Sequence, residues 1–135
     1  MKDDILNFEV HLFSPDGVNS PVAEYLVELA EKDLQALYKC TSEIIDLPKL
    51  IFSRHKDIKT FKVGSQSFFE LKVRYKNNAF RFFFVMEKPN VIIIYGFTKK
   101  TQKTEQKDIK KGLQYLGEYK NTKFSIPFKQ IIDNL

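Results

Sequence analysis

The sequence predicts one α+β domain in which two N-terminal helices pack on one face of a small antiparallel sheet. Two observations lead to this class. A helical apolar stripe follows the first strand-like segment, and three consecutive strand-like segments occupy the second half of the chain. The length of 135 residues and the apolar fraction of 43% suit one compact core. The predicted order is βααβββα, with one domain over 1–119 and a helical C-terminal extension over 120–135 packed on it.

The N-terminal elements have clear local signals. Residues 8–13 alternate apolar and polar side chains, which predicts a strand. Ser20 and Pro21 provide an N-cap and a first-turn proline, and the apolar stripe that follows predicts a helix over 21–39. The next apolar segment, 44–52, contains a central proline, so we expect either one kinked helix or a short helix that restarts there.

The second half of the chain is rich in strands. Residues 68–76 and 79–87 are expected to form a hairpin, and the nearly continuous apolar run 91–98 is expected to form the central strand. Asn77-Asn78 is the expected two-residue loop, because asparagine tolerates positive φ. A polar, Lys-rich helix is predicted over 105–119, and Ser125 is expected to cap a last short helix.

This hairpin register gathers basic side chains on one face of the sheet. Arg74 is predicted to lie directly opposite Arg81, with Lys72 beside them. Like charges that face each other destabilise a sheet, whereas a bound phosphate would favour them, because arginine forks fit phosphate oxygens. The alternative is that the two side chains diverge into solvent, or that one of them pairs with Glu70.

The end of the central strand extends this cluster. Lys99 and Lys100 are expected near the start of the 79–87 strand, and Thr104 is also a candidate cap for the following helix. Phe83 is the one aromatic residue of its strand that should face the basic side, where a base could stack on it. The candidate RNA-binding residues are Lys76, Phe83, Thr101, Lys103 and Thr104.

Charge is distributed unevenly along the chain. The net charge is +5, but residues 1–60 carry −4 and residues 61–135 carry +9. A basic half favours a polyanionic partner, because Lys and Arg displace counterions from phosphates. The alternative is an ordinary solvated, Lys-rich surface.

Several classes of site and location are disfavoured. The single cysteine, Cys40, excludes an internal disulfide and a multi-Cys zinc site, and His11 and His55 are too few to favour a His-based metal centre. We therefore expect no metal and no cofactor. The chain has no apolar run long enough for a membrane span and no apolar leader, so we expect a cytoplasmic protein that does not bind membranes.

Three segments resemble the RelE/HigB-type toxins of bacterial type II toxin–antitoxin systems, most closely the phage-derived HigB-like subgroup. The segments are FELKVRY at 69–75, FRFFF at 80–84 and GFTKKTQKT at 96–104. The turn SPDG at 14–17 resembles the N-terminal strand-to-helix junction of this family. The resemblance covers about residues 8–119.

The resemblance implies an mRNA interferase, which is an endoribonuclease that cleaves mRNA on the ribosome, inhibits translation and needs no metal. It also implies a tightly bound cognate antitoxin, often a helix-turn-helix repressor. Family active sites use basic residues on the concave sheet face. The residues that match those positions are Lys72, Arg74, Arg81 and Lys99 or Lys100.

RNA cleavage by the 2′-hydroxyl needs a base, stabilisation of the phosphorane charge and a proton for the leaving oxygen. We expect Lys72 to act as the general base, because neighbouring cations lower the pKa of a lysine; Glu70 is its rival. The two arginines are expected to hold the scissile phosphate. One of the two lysines at the strand end would protonate the leaving oxygen or grip a flanking phosphate.

Two other functions remain open. The first is a related toxin of the ParE type that acts on DNA gyrase, which shares the fold but does not need the basic cluster. The second is a non-catalytic or degenerate toxin-fold module, which would bind without cleaving. Translation and DNA supercoiling, followed after induced expression, distinguish these functions.

Overall fold

The protein is described by a computed structural model that covers residues 2–99 and 104–135. The α+β class is confirmed. The elements are α1 (Lys2–Leu6), β1 (Glu9–Phe13), α2 (Pro21–Lys32), α3 (Leu34–Ile45), α4 (Leu47–Phe52), β2 (Ile58–Val63), β3 (Gln66–Tyr75), β4 (Asn78–Glu87), β5 (Asn90–Lys99), α5 (Gln106–Thr122), β6 (Ser125–Pro127) and α6 (Phe128–Ile132).

The helical region differs from the predicted single helix over 21–39. Ser20 caps α2 by accepting a hydrogen bond from the Ala23 N–H, as expected. The helix ends at Lys32, because Asp33 adopts an extended conformation and its side chain accepts the N–H of Ala36, which caps α3. Pro48 lies in the first turn of α4, so the expectation of a short helix that restarts near the proline is confirmed.

The sheet is mixed rather than purely antiparallel. Its strand order is β2-β3-β4-β5-β1-β6, and β1 runs parallel to β5. The edge strand β2 was not predicted. At the other edge β6 pairs antiparallel with β1, and Ser125 starts this strand instead of capping a helix.

The hairpin between β3 and β4 has a different register from the predicted one. The loop is Lys76-Asn77, with Lys76 at φ 55°, so Tyr75 pairs with Asn78. Arg81 therefore lies opposite Lys72, and the predicted pairing of Arg74 with Arg81 is wrong. Because the register moves by two residues and side chains alternate, every side chain stays on its predicted face.

Each face of the sheet is covered by different helices. Helices α2, α3 and α4 enclose an apolar core with β3 residues such as Leu71 and β4 residues such as Phe82. Helix α5 covers the opposite face through an aromatic cluster that includes Phe68 and Phe83. Gly112 permits this close approach, because a Cβ there would lie 2.5 Å from the Phe83 ring.

Candidate nucleic-acid interface

The strand register brings the expected basic residues to one face of the sheet. Lys72, Arg74, Arg81 and Lys99 all lie on the face covered by α5. Arg74 is opposite Ala79, which in turn is opposite Lys99, so the two cations belong to one cross-strand row. Lys72, Arg74 and Lys99 are called the basic cluster below, because Arg81 differs from them in burial.

Arg81 is fully buried and does not reach an open surface. Its Nη1 donates to Oε1 of Glu70 at 3.2 Å and to the hydroxyl of Thr104 at 2.9 Å. The Thr104 hydroxyl donates to the other Glu70 oxygen at 2.8 Å. The expected contact of Arg81 with a phosphate does not fit this geometry. We call these three residues the buried network.

The buried network also changes the expected roles of its other two members. Glu70 is only 1% exposed, and both of its carboxylate oxygens accept hydrogen bonds. A general base has to contact the RNA, and a carboxylate this deeply buried does not reach it. Thr104 does not cap α5. The N-cap position belongs to Glu105, which makes no side-chain capping bond.

Arg74 is the accessible arginine of the cluster. Its side chain is 58% exposed, and its Nε and Nη2 donate to Oδ1 of Asp57 at 3.4 and 3.3 Å. The backbone carbonyl of Asp57 also accepts the Lys72 N–H at 2.9 Å. Asp57 was not among the predicted site residues, because the strand β2 that follows it and positions it was not recognised.

Lys72 lies half-buried between these groups. Its pKa is lowered by burial, and then by the nearby charges of Arg74 and Arg81, while Asp57 and Glu70 oppose the shift. The predicted direction is therefore confirmed, although burial contributes more than the neighbouring cations. A lowered pKa increases the neutral fraction of the amine, which is the form that accepts a proton.

Lys99 completes the cluster at the end of β5. Its side chain is 12% exposed and forms an ion pair with Glu105, whose own pKa is lowered by Lys99. This contact links the end of β5 to the start of α5. Three expected site residues, Lys100, Thr101 and Lys103, lie outside the described residues.

The two remaining expected RNA contacts differ in accessibility. Phe83 is fully buried among aromatic rings of its own face and against α5, so the expectation that a base stacks on it is wrong. The error arose because the prediction did not place α5 over this face. Lys76 is exposed at the hairpin loop, with its amine 5.3 Å from the Tyr75 ring centroid.

Other candidate chemistry is weak. Burial raises the pKa of the Cys40 thiol to about 12, which disfavours a thiolate nucleophile. His11 contacts the hydroxyl of Ser125 at 3.0 Å, and Nδ1 of His55 accepts the Asp57 N–H at 3.1 Å. Among the described residues, no group of three or more His, Cys, Asp or Glu side chains is arranged to hold a metal ion.

Comparison with protein families identifies the chain. Residues 25–116 match the family described as phage-derived protein Gp49-like (DUF891). The chain belongs to this family. Membership is consistent with a toxin of a toxin–antitoxin pair, and it agrees with the phage-derived part of the resemblance. Searches of curated proteins and of solved structures found no match.

The match extends from Tyr25 in the second turn of α2 to Leu116 in α5, and so includes the basic cluster and Arg81. The β1 strand and the C-terminal β6 and α6 lie outside it. Within the described part of the chain, no helix has the length and apolar character needed to cross a bilayer.

Proposed function

We propose that this Gp49-like protein is the toxin of a type II toxin–antitoxin pair and that it cleaves mRNA on the ribosome without a metal. Family membership supports the toxin assignment. The observation that carries the nuclease assignment is the basic cluster, in which an accessible arginine and two lysines share one sheet face and one lysine has a lowered pKa. We also propose a cognate antitoxin as partner.

The proposed reaction uses the cluster in three steps that occur together. Lys72 accepts the proton of the ribose 2′-hydroxyl as the 2′-oxygen bonds to phosphorus. Arg74 holds the phosphate oxygens, which gain charge in the transition state. The bond from phosphorus to the 5′-oxygen breaks, and the ammonium of Lys99 gives that oxygen a proton. The products are a 2′,3′-cyclic phosphate and a 5′-hydroxyl.

The carboxylates around the cluster have supporting roles in this proposal. Asp57 restrains the Arg74 guanidinium, which reduces the conformational entropy lost on phosphate binding. Glu105 has to release Lys99 when the leaving group arrives. Arg81 is buried and acts through its charge, which lowers the pKa of Lys72. This assigns Arg81 an electrostatic role without direct contact to RNA.

The experiment compares Arg74→Ala with Lys62→Ala after induced expression in bacteria. Lys62 is an exposed lysine on β2 and serves as a charge-matched control. Mapping of transcript 5′ ends should show new cleavage sites with the unchanged protein and with the Lys62 variant, and at least about tenfold fewer with the Arg74 variant. Growth arrest without new 5′ ends would refute the nuclease assignment, whereas full cleavage by the Arg74 variant would refute the role proposed for Arg74.

The burial of Arg81 favours one second candidate, a toxin that acts on DNA gyrase. Such a toxin does not need an accessible basic cluster, and the arginine expected at its centre is enclosed. The same induced cultures discriminate between the two functions. Loss of plasmid supercoiling with intact transcripts supports gyrase as the target, whereas cleaved transcripts with normal supercoiling support the nuclease.

A further inference from the structure

A groove of about 400 Å³ lies between helix α2, the loop before it and helix α6. Its apolar lining includes Val18, Ala23, Val27 and Ile131. Val18 is 76% exposed and Val27 is 46% exposed, which is high for aliphatic side chains. The groove therefore exposes an apolar strip that the described part of the chain does not cover.

The charged side chains that line this groove are both acidic. Glu24 and Glu28 project from successive turns of α2, and Glu31 continues the acidic row along the same helix. All three are exposed, and none forms an ion pair with another side chain in residues 4–99 or 104–135. Their negative charge is available to a cationic partner and repels nucleic acid.

We propose that this groove binds a basic amphipathic helix from another protein. An apolar stripe with residues three and four apart fits the strip formed by Val18, Ala23, Val27 and Ile131. Lysine or arginine residues that flank this stripe face Glu24 and Glu28. The 12 residues of α2 span about 18 Å, which offers room for about three turns of such a helix.

The groove and the basic cluster are on different sides of the sheet. Helix α2 packs on the face opposite to α5, whereas Lys72, Arg74 and Lys99 lie on the α5 face. A helix seated in the groove would therefore leave the basic cluster open. The proposal does not depend on nuclease activity, because it is based only on the shape and charge of this second surface.

The experiment uses two designed peptides of about 16 residues with the same leucine stripe. One has lysines beside the stripe and the other has glutamates. Binding to the full chain is measured by isothermal titration calorimetry for the unchanged protein, for Glu24→Lys/Glu28→Lys and for Glu9→Lys/Glu118→Lys. The last variant makes the same change in net charge away from the groove, and Val27→Gln tests the apolar strip.

The lysine peptide should bind the unchanged protein and the Glu9/Glu118 variant alike, and bind the Glu24/Glu28 variant about tenfold more weakly. The glutamate peptide should bind the Glu24/Glu28 variant more tightly than the unchanged protein. Val27→Gln should weaken the binding of both peptides. Circular dichroism confirms that each variant is folded. Equal affinity for the two peptides, or equal weakening by both charge-reversal pairs, would overturn the proposal. Concentration-dependent dimerisation abolished by Val27→Gln would overturn it in favour of a second copy of this chain.

Discussion

The two faces of the central sheet use the same strands but have opposite chemistry. Toward α2, α3 and α4, the side chains of β3 and β4 are apolar, as at Leu71 and Phe82. Toward α5, the alternate positions combine aromatic rings with the buried network and the basic cluster. The comparison shows that the two buried charges on the α5 face satisfy each other across neighbouring strands and that Thr104, from outside the sheet, hydrogen-bonds to both.

Arg81 and Arg74 show the same contrast within one face. Both arginines bind a carboxylate, but Arg81 is buried and also donates to the Thr104 hydroxyl, whereas Arg74 remains 58% exposed. A buried ion pair and an exposed one have very different effects on stability when one partner is removed. The following predictions test this contrast, starting with the largest effect.

Replacing the buried arginine should have the largest effect. Arg81→Met leaves the Glu70 carboxylate buried without its counterion, so we expect the free energy of unfolding to fall by about 3–5 kcal/mol. Arg74→Met removes an exposed pair and should cost less than about 1 kcal/mol. Urea unfolding followed by circular dichroism measures both. Similar losses for the two variants would contradict the difference in burial.

Replacing two glycines of α5 by alanine should change stability in opposite directions, because Gly112 packs against the sheet and Gly117 does not. Gly112→Ala places a Cβ within 2.5 Å of the Phe83 ring and should cost about 1–3 kcal/mol. Gly117 has open space at the same atom, so Gly117→Ala should stabilise the helix by about 0.5–1 kcal/mol. Thermal unfolding checks the signs. A stabilising Gly112→Ala would mean that α5 does not pack this closely.

Removing the Thr104 hydroxyl from the buried network should lower the stability of the protein moderately. Thr104→Val removes a hydrogen bond from each of Arg81 and Glu70 but keeps the shape of the side chain, so a loss of about 1–2 kcal/mol is expected. Thr60→Val, at an exposed position of β2, is the matched control and should change stability little. Equal effects in urea unfolding would show that Thr104 contributes nothing to the network.

The smallest expected effect is a change in the pH dependence of stability. The pKa of Lys72 is lower in the folded protein than its ordinary value of 10.5, so the unfolded chain binds this proton more tightly. Below its pKa in the folded protein, Lys72 is charged in both states, and its burial lowers the stability of the fold by the full amount. This loss of stability disappears as the pH rises toward 10.5. The Lys72→Met variant should therefore gain less stability on raising the pH than the Lys62→Met variant. Parallel stability curves for the two variants between pH 7 and about 10.5 would contradict the shift.

Side-chain alternation explains why much of the site could be predicted despite a wrong register. The sequence favours an Asn77-Asn78 loop because asparagine tolerates positive φ, but the chain places Lys76 in that conformation. The error shifts pairs by two residues, which preserves the faces, so Lys72, Arg74 and Arg81 were correctly placed together. The register error itself changed only the direct cross-strand partner of each arginine.

Other features depend on contacts between distant segments. The parallel pairing of β1 with β5 and the position of α5 over Phe83 have no local signal in the sequence. Glu70 alternates with apolar residues and reads as a solvent-facing position, although it is buried with Arg81. The helix break at Asp33 could have been found, because an aspartate before an apolar stripe is a typical N-cap.

The edges of the sheet have a consequence for the behaviour of the protein at high concentration. One outer strand, β6, has only three residues and ends in Pro127, and the other, β2, carries the exposed lysines Lys59 and Lys62. Short length, proline and lysine all hinder the addition of a further strand from a neighbouring molecule. Fibril-like aggregation of this chain would therefore have to begin from a partly unfolded state rather than from native molecules that pair through their edge strands.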